Sequence, residues 1–207
     1  MLAAPMLPAT FAALAMFSFP YFLAIETECP MVTELEGGGI SLKGDCTTED
    51  GETWSGSMVW TGPEITWSGF GWAGFQIDGT QSIDQADLIS DVNMAVDMDG
   101  VSHTLVYTNH KLTGFMDFYS AGMDGDPFSV SVSGRVSIDD LGDFAVSGDL
   151  EELGVCEAEP DTGAMSLVGP FVFEMDFDGA SDCDGCISWT SRNQSGEDCY
   201  EDADTGW

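Results

Sequence analysis

Alternation of apolar and polar residues is the clearest regularity in the chain. Phe128, Val130, Val132, Gly134, Val136 and Ile138 fall on one face of an extended segment, with Ser129, Ser131, Ser133, Arg135, Ser137 and Asp139 on the other. A period of two predicts a strand with one dry face and one wet face. The same alternation runs through Val92-Met94-Val96-Met98, Phe144-Val146-Gly148-Leu150 and Phe171-Phe173-Met175-Phe177. Between such runs stand Asp-Gly pairs beginning at Asp50, Asp78, Asp99, Asp124, Asp178 and Asp184. This dipeptide supplies the positive φ angles of tight hairpins. After residue 30 the one stretch with a helical period is 82–92, where Asp84, Asp87 and Asp91 line one side.

These elements predict an all-β fold, an antiparallel sheet of repeated hairpins. A dry sheet face needs a cover, so the expected architecture is a sandwich or a strongly curved open sheet in preference to a closed barrel. Val96-Asp-Met-Asp-Gly100 echoes Met175-Asp-Phe-Asp-Gly179, but no fixed period marks a solenoid. A single domain is expected over residues 30–200, followed by an acidic tail at 201–207.

Residues 1–25 carry no charged side chain and contain the run Phe11-Ala12-Ala13-Leu14-Ala15-Met16-Phe17-Ser18-Phe19. They predict an apolar N-terminal helix, read as a signal peptide or a membrane anchor. The absence of a basic residue ahead of the run and the large side chains at Phe22-Leu23-Ala24 depart from a standard cleavable signal. Pro5, Pro8 and Pro20 count against a membrane span. Export places the folded region outside the cell or at its surface, with membrane contact only through this segment.

Six cysteines fit an oxidising destination. Cys29 and Cys46 form an early pair, and Cys156, Cys183, Cys186 and Cys199 a late group. The expected arrangement is a Cys29 to Cys46 bridge with two further bridges among the other four. Cys183-Asp-Gly-Cys186 also has the C-x2-C spacing of a zinc knuckle, which Cys156 and Cys199 would complete. A zinc ribbon normally carries two such pairs, so zinc is the weaker reading.

Charge changes the picture most. There are 37 acidic residues against four basic ones, Lys43, Lys111, Arg135 and Arg192, for a net charge of −33. Such a surface repels nucleic acid and anionic lipid and attracts cations or cationic surfaces. With 43% hydrophobic residues, six Trp and 13 Phe, the chain is no disordered acidic tail. Many of the acids stand at turns, as a solvated shell does. That shell would also suit a saline environment.

Two segments carry candidate binding chemistry. Trp54, Trp60, Trp67, Phe70, Trp72 and Phe75 lie within 22 residues, interleaved with glycines. In an unbroken strand Trp54 and Trp60 share a face, and Phe70 and Trp72 point opposite to Trp67. One set is then core and the other a platform for sugar rings, so Trp54, Trp60, Trp67 and Trp72 are the candidate polysaccharide-binding residues. The competing reading is that the whole row is core. The second segment type pairs carboxylates two residues apart before a glycine, at Asp97/Asp99, Asp176/Asp178 and Asp182/Asp184. Asp97, Asp99, Asp176 and Asp178 are therefore candidate calcium ligands, although the third ligand position and closing Glu of an EF-hand are missing. No cofactor is firmly implied, and calcium is the candidate ion.

Catalytic signatures are few. His103 and His110 are the only histidines, and seven residues apart they belong on opposite faces of a regular strand. There is no G-x-S-x-G elbow, P-loop or dinucleotide fingerprint. A glycoside hydrolase needs only two carboxylates, which 37 acids neither exclude nor locate. Asn193-Gln-Ser195 is a glycosylation sequon.

The apolar leader, Glu28-Cys29-Pro30, the stretch from Gly44-Asp45-Cys46 to Trp54, and the ending from Phe177-Asp178-Gly179 through Cys183-Asp-Gly-Cys186 to Glu197-Asp-Cys199 resemble secreted, acidic, cysteine-containing β-rich bacterial surface proteins of unassigned function. That resemblance implies no active site. The sequence thus points to an exported β protein with a structural or binding role. The alternatives are a carbohydrate-binding or calcium-dependent adhesion module and a secreted glycoside hydrolase using paired carboxylates.

Overall fold

The computed structural model describes residues 29–49, 51–72, 74–85, 87–98, 101–114, 127–152, 161–179, 181 and 186–199. These residues build β1 (Met31–Glu34), β2 (Ile40–Lys43), β3 (Cys46–Thr47), β4 (Thr53–Trp60), β5 (Glu64–Trp72), β6 (Phe75–Asp84) and β7 (Asp87–Met98). They continue as β8 (Val101–Thr113), β9 (Phe128–Ile138), β10 (Gly142–Glu152), β11 (Thr162–Val168), β12 (Val172–Phe177), β13 (Cys186–Ser191) and β14 (Gln194–Cys199). The expected leader helix before residue 25 and the acidic tail at 201–207 lie outside the described residues. No helix among the described residues is long and apolar enough to cross a membrane.

All fourteen strands belong to one antiparallel sheet in the order β1-β2-β4-β5-β6-β7-β8-β9-β10-β11-β12-β13-β14, with β3 paired to β4. The sheet is not closed. Of the two architectures expected, the open sheet is therefore the one formed, and the two-sheet sandwich is not. Every strand from β4 onward pairs with its chain neighbours, so the topology is a long meander. β2 and β3 lie in succession along the same side of β4, pairing with its Ser57–Trp60 and Thr53–Trp54 ends.

The alternation in sequence becomes the two faces of this sheet. Val130, Val132, Val136 and Ile138 of β9 are buried and the intervening serines point outward. Phe171, Phe173, Met175 and Phe177 are buried beside exposed Val172, Glu174 and Asp176. The inner residues form one continuous cluster from Leu42 on β2 to Ile187 on β13. Open sheets of more than about ten strands curl, split or flatten, and an inner face buried along its whole width has to be covered.

Two local expectations give way. Residues 82–92 are not helical: β6 ends at Asp84, the chain turns at Gln85, and β7 begins with Asp87 opposite Asp84. Leu88, Ser90, Val92 and Met94 are all buried, and a period of two between paired neighbours on both sides overrides the weak helical spacing of the aspartates. Asp78-Gly79 is not a hairpin tip but lies inside β6.

Asp78 instead belongs to a β-bulge. Ser68 and Gly69 on β5 together oppose Asp78 on β6, and the register shifts by one between Trp67 and Phe70. Gly69 takes φ +56°, a left-handed conformation that its missing side chain permits. Its backbone N–H donates to Asp78 Oδ1 at 2.7 Å. The same construction recurs on β8, where Thr108 and Asn109 oppose Asp91 of β7. Asn109 takes φ +48° and its N–H donates to Asp91 Oδ1 at 2.8 Å.

Each bulge turns two bulky residues three apart onto the same inner face. Trp67 and Phe70 are both buried, and so are Tyr107 and His110. The face assignments made for an unbroken strand are corrected accordingly: Phe70 and Trp72 share the inner face with Trp67, and His103 and His110 lie on one face rather than two.

Polar groups drawn inside by these bulges are joined. Trp67 Nε1 donates to Gln81 Oε1 at 2.8 Å, and Gln81 Nε2 donates to Ser90 Oγ at 2.9 Å. This buried chain crosses β5, β6 and β7 on the row where Ile65, Gln81, Ser90 and His110 stand opposite one another. Burial also pushes the Tyr107 phenol far above its ordinary pKa by desolvation.

Candidate functional site

The aromatic segment divides into a buried part and a rim. Trp54, Trp72, Phe75, Val96 and His103 are directly opposite one another across β4 to β8, next to the β5–β6 turn and two pairs short of the end of the β7–β8 ladder. Trp54 stacks on Trp72 with ring centroids 4.5 Å apart and planes at 23°. Phe75 sits 5.1 Å from Trp72 on the other side. These rings are half-buried, whereas Trp67 and Phe70 in the rows behind them are closed off. Trp60 is at the far end of β4, its indole N–H bonded to Gly62 O at 2.7 Å. The four candidate tryptophans therefore separate into the Trp54/Trp72 pair, a buried Trp67 and a distant Trp60.

Beside the rim the sheet has a hollow of about 330 Å³. Ser55, Gln76, Asp97 and Ser102 line it on the outer face, opposite the face that carries the Trp72 and Phe75 rings. Its position follows from side-chain size. Ser55, Gly71, Gln76 and Ala95 form a cross-strand row, and Gly71 and Ala95 leave the middle of that row empty. Gly71 has no room for more, since a Cβ there would run into the Phe75 carbonyl. Asp97 closes one end: its N–H donates to Gly74 O at 2.7 Å, and its side chain lies over Gly74.

The bulge at Gly69 organises this hollow. Gly69 O accepts from Ser55 Oγ at 3.1 Å and from Gln76 Nε2 at 3.3 Å. One backbone carbonyl, displaced by the extra residue in β5, thus holds both polar walls. The sequence marks the place only through Ser68-Gly69 interrupting the Trp-Phe alternation, and Ser55, Gln76 and Ser102 carry no signal of their own.

No protein-family model, curated protein or solved structure matches this chain.

The acid pairs are less convergent than their spacing implied. Asp97 lines the hollow, while Asp99 lies outside the described residues. Asp176 and Asp178 are exposed on and just after β12. Among the described residues no three His, Cys, Asp or Glu side chains come together as metal ligands. Asp78 and Asp91, which spacing had not singled out, have defined backbone partners instead.

Cys29 and Cys46 are bridged, as expected, which ties the start of the described chain to β3. Cys186 is disulfide-bonded as well and so is no thiolate for zinc. It stands directly opposite Cys199 in the β13–β14 register, and Cys156 and Cys183 lie outside the described residues. No cysteine is free among the described residues.

Proposed function

We propose that this chain is an exported extracellular or cell-surface β protein with a structural or binding role, and that a carbohydrate is the ligand of its aromatic rim at Trp54, Trp72 and Phe75. The observation that carries the reading is the row of half-buried rings at one end of the sheet, Trp54 stacked on Trp72 and Phe75 beside it. Sugars present apolar ring faces and a perimeter of hydroxyls, so a site for them combines an aromatic surface with fixed polar groups. The Cys29–Cys46 disulfide supports an oxidising compartment.

The rings of Trp67 and Trp60 stand apart from this row and are assigned to packing.

The test is retention on a panel of insoluble and immobilised polysaccharides, with Trp72→Ala compared against Trp60→Ala. Retention lost with Trp72→Ala and kept with Trp60→Ala supports the site. Equal behaviour of the two variants, or no retention of the native protein, overturns it.

A further inference from the structure

Resting on the export reading, we infer that Asn193 is a site of N-linked glycosylation at the tip of the last hairpin of the sheet. The sequence has three asparagines, Asn93, Asn109 and Asn193, and all are exposed. Exposure therefore does not choose among them. The residue two places on does: Ala95 follows Asn93 and Lys111 follows Asn109, whereas Ser195 follows Asn193 with Gln194 between. Asn-x-Ser with x other than proline is the acceptor pattern of N-glycosylation. Backbone placement separates them too. Asn93 is in the middle of β7 between β6 and β8, and Asn109 is in the β8 bulge with its N–H held by Asp91 Oδ1. Asn193 lies with Arg192 in the two-residue turn that joins Ser191 of β13 to Gln194 of β14.

The turn leaves the acceptor amide open. Its positive φ, +54°, falls on Arg192 and not on Asn193. The Arg192 guanidinium lies over the Phe171 ring, 4.6 Å from its centroid, so the long side chain at the tip is folded back toward the start of β12. Ser195 is exposed on β14 opposite Thr190, and β14 ends the sheet, with no further strand beside it among the described residues. Both acceptor residues are thus reached from the same open edge. The co-reactant is a lipid-linked oligosaccharide diphosphate, used by a transferase at the export membrane. Asn193 Nδ2 bonds to the anomeric carbon of the first sugar and loses a proton. The bond from that carbon to the diphosphate oxygen breaks, and the lipid diphosphate leaves with the electron pair. No oxidant or reductant takes part. The product suits the fold, because an unpaired edge strand invites pairing with another chain and a bulky, hydrated glycan beside its first residue obstructs that.

Peptide mass mapping of the full chain, recovered from the medium, surface and interior of its source cells, tests this. In the exported protein the peptide containing Asn193 is expected to carry glycan mass, and a glycan-releasing amidase to remove that mass and convert Asn193 to Asp. Peptides containing Asn93 and Asn109 should carry none. In the same cells Asn193→Gln and Ser195→Ala should each abolish the modification. Ser195→Ala keeps the acceptor amide, so loss of the glycan there ties the transfer to the hydroxyl two residues on. Both substitutions are at exposed positions and neither touches the positive-φ residue, so the variants should fold as the native chain does. Exported protein with Asn193 unmodified, or glycan retained at Asn193 in Ser195→Ala, overturns the glycosylation while export stands. Protein confined to the cell interior overturns both.

Discussion

The backbone N–H of Gly69 is held by the carboxylate of Asp78 across the β5–β6 pair at 2.7 Å, and Asn109 repeats the arrangement with Asp91 at 2.8 Å one strand pair further on. Two of the chain's many acids thus act as fixed acceptors for the amide that a bulge removes from the ladder. Asp78→Ala and Asp91→Ala should each lower stability by about 1.5–3 kcal/mol, the scale of a hydrogen bond to a charged group. The sign is informative. In a protein so rich in like charge, loss of one carboxylate at an unbonded position relieves repulsion and should be neutral or stabilising. Urea denaturation of these two variants beside Asp176→Ala separates bonded from solvated acids.

The buried chain Trp67–Gln81–Ser90 predicts unequal responses to one chemical change at two tryptophans. Trp67→Phe leaves Gln81 Oε1 buried without its donor and should cost about 1–3 kcal/mol beyond the lost area. Trp54 Nε1 is buried without a hydrogen-bond partner among the described residues, so Trp54→Phe removes no bond and keeps a ring on Trp72. Its cost should be smaller by at least about 1 kcal/mol. Equal losses in the two variants would refute the role given to Gln81.

The Cys29–Cys46 bridge closes a loop between residues 17 apart. In the chain-entropy description such a loop contributes about 3 kcal/mol. The double variant Cys29→Ser/Cys46→Ser should lose stability of that order. It should keep its sheet content by circular dichroism, because β3 adds only two residues to the side of β4.

Alkaline titration should expose Tyr107. Desolvation raises its pKa well above the ordinary phenol value of about 10. Above that pH the unfolded chain releases a proton that the folded one retains, so stability falls as pH rises. Tyr107→Phe should flatten the stability curve between about pH 10 and pH 12. A slope unchanged by the variant would place the alkaline loss elsewhere.

Much of the fold can be read in the residues themselves. The strict alternation of β9 and of Phe171 to Phe177 names both the strands and their buried faces, because a period of two has only one geometric realisation. Whether hairpins join as two sheets or one is decided by pairings between chain-distant edges, and alternation contains nothing about them. The bulges were hidden for another reason. An extra residue at Gly69 or Asn109 reverses the face of everything beyond it, so Trp67 and Phe70 look opposed in sequence and are neighbours in space. The hollow depends on that reversal. Its polar walls were therefore out of reach, while Asp97 was visible only as a residue type.

The meander bears on how the protein yields to force. From β5 to β14 each strand is hydrogen-bonded only to the strands before and after it in the chain. A load applied across the ends of the described sheet meets the pairs one after another, as a zipper does, and not all at once in shear. An edge strand can leave while the strands behind it remain paired, so extension should proceed in steps of one strand or one hairpin. At a cell surface such a sheet would act as a graded tether, lengthening under tension and rewinding from the part still folded.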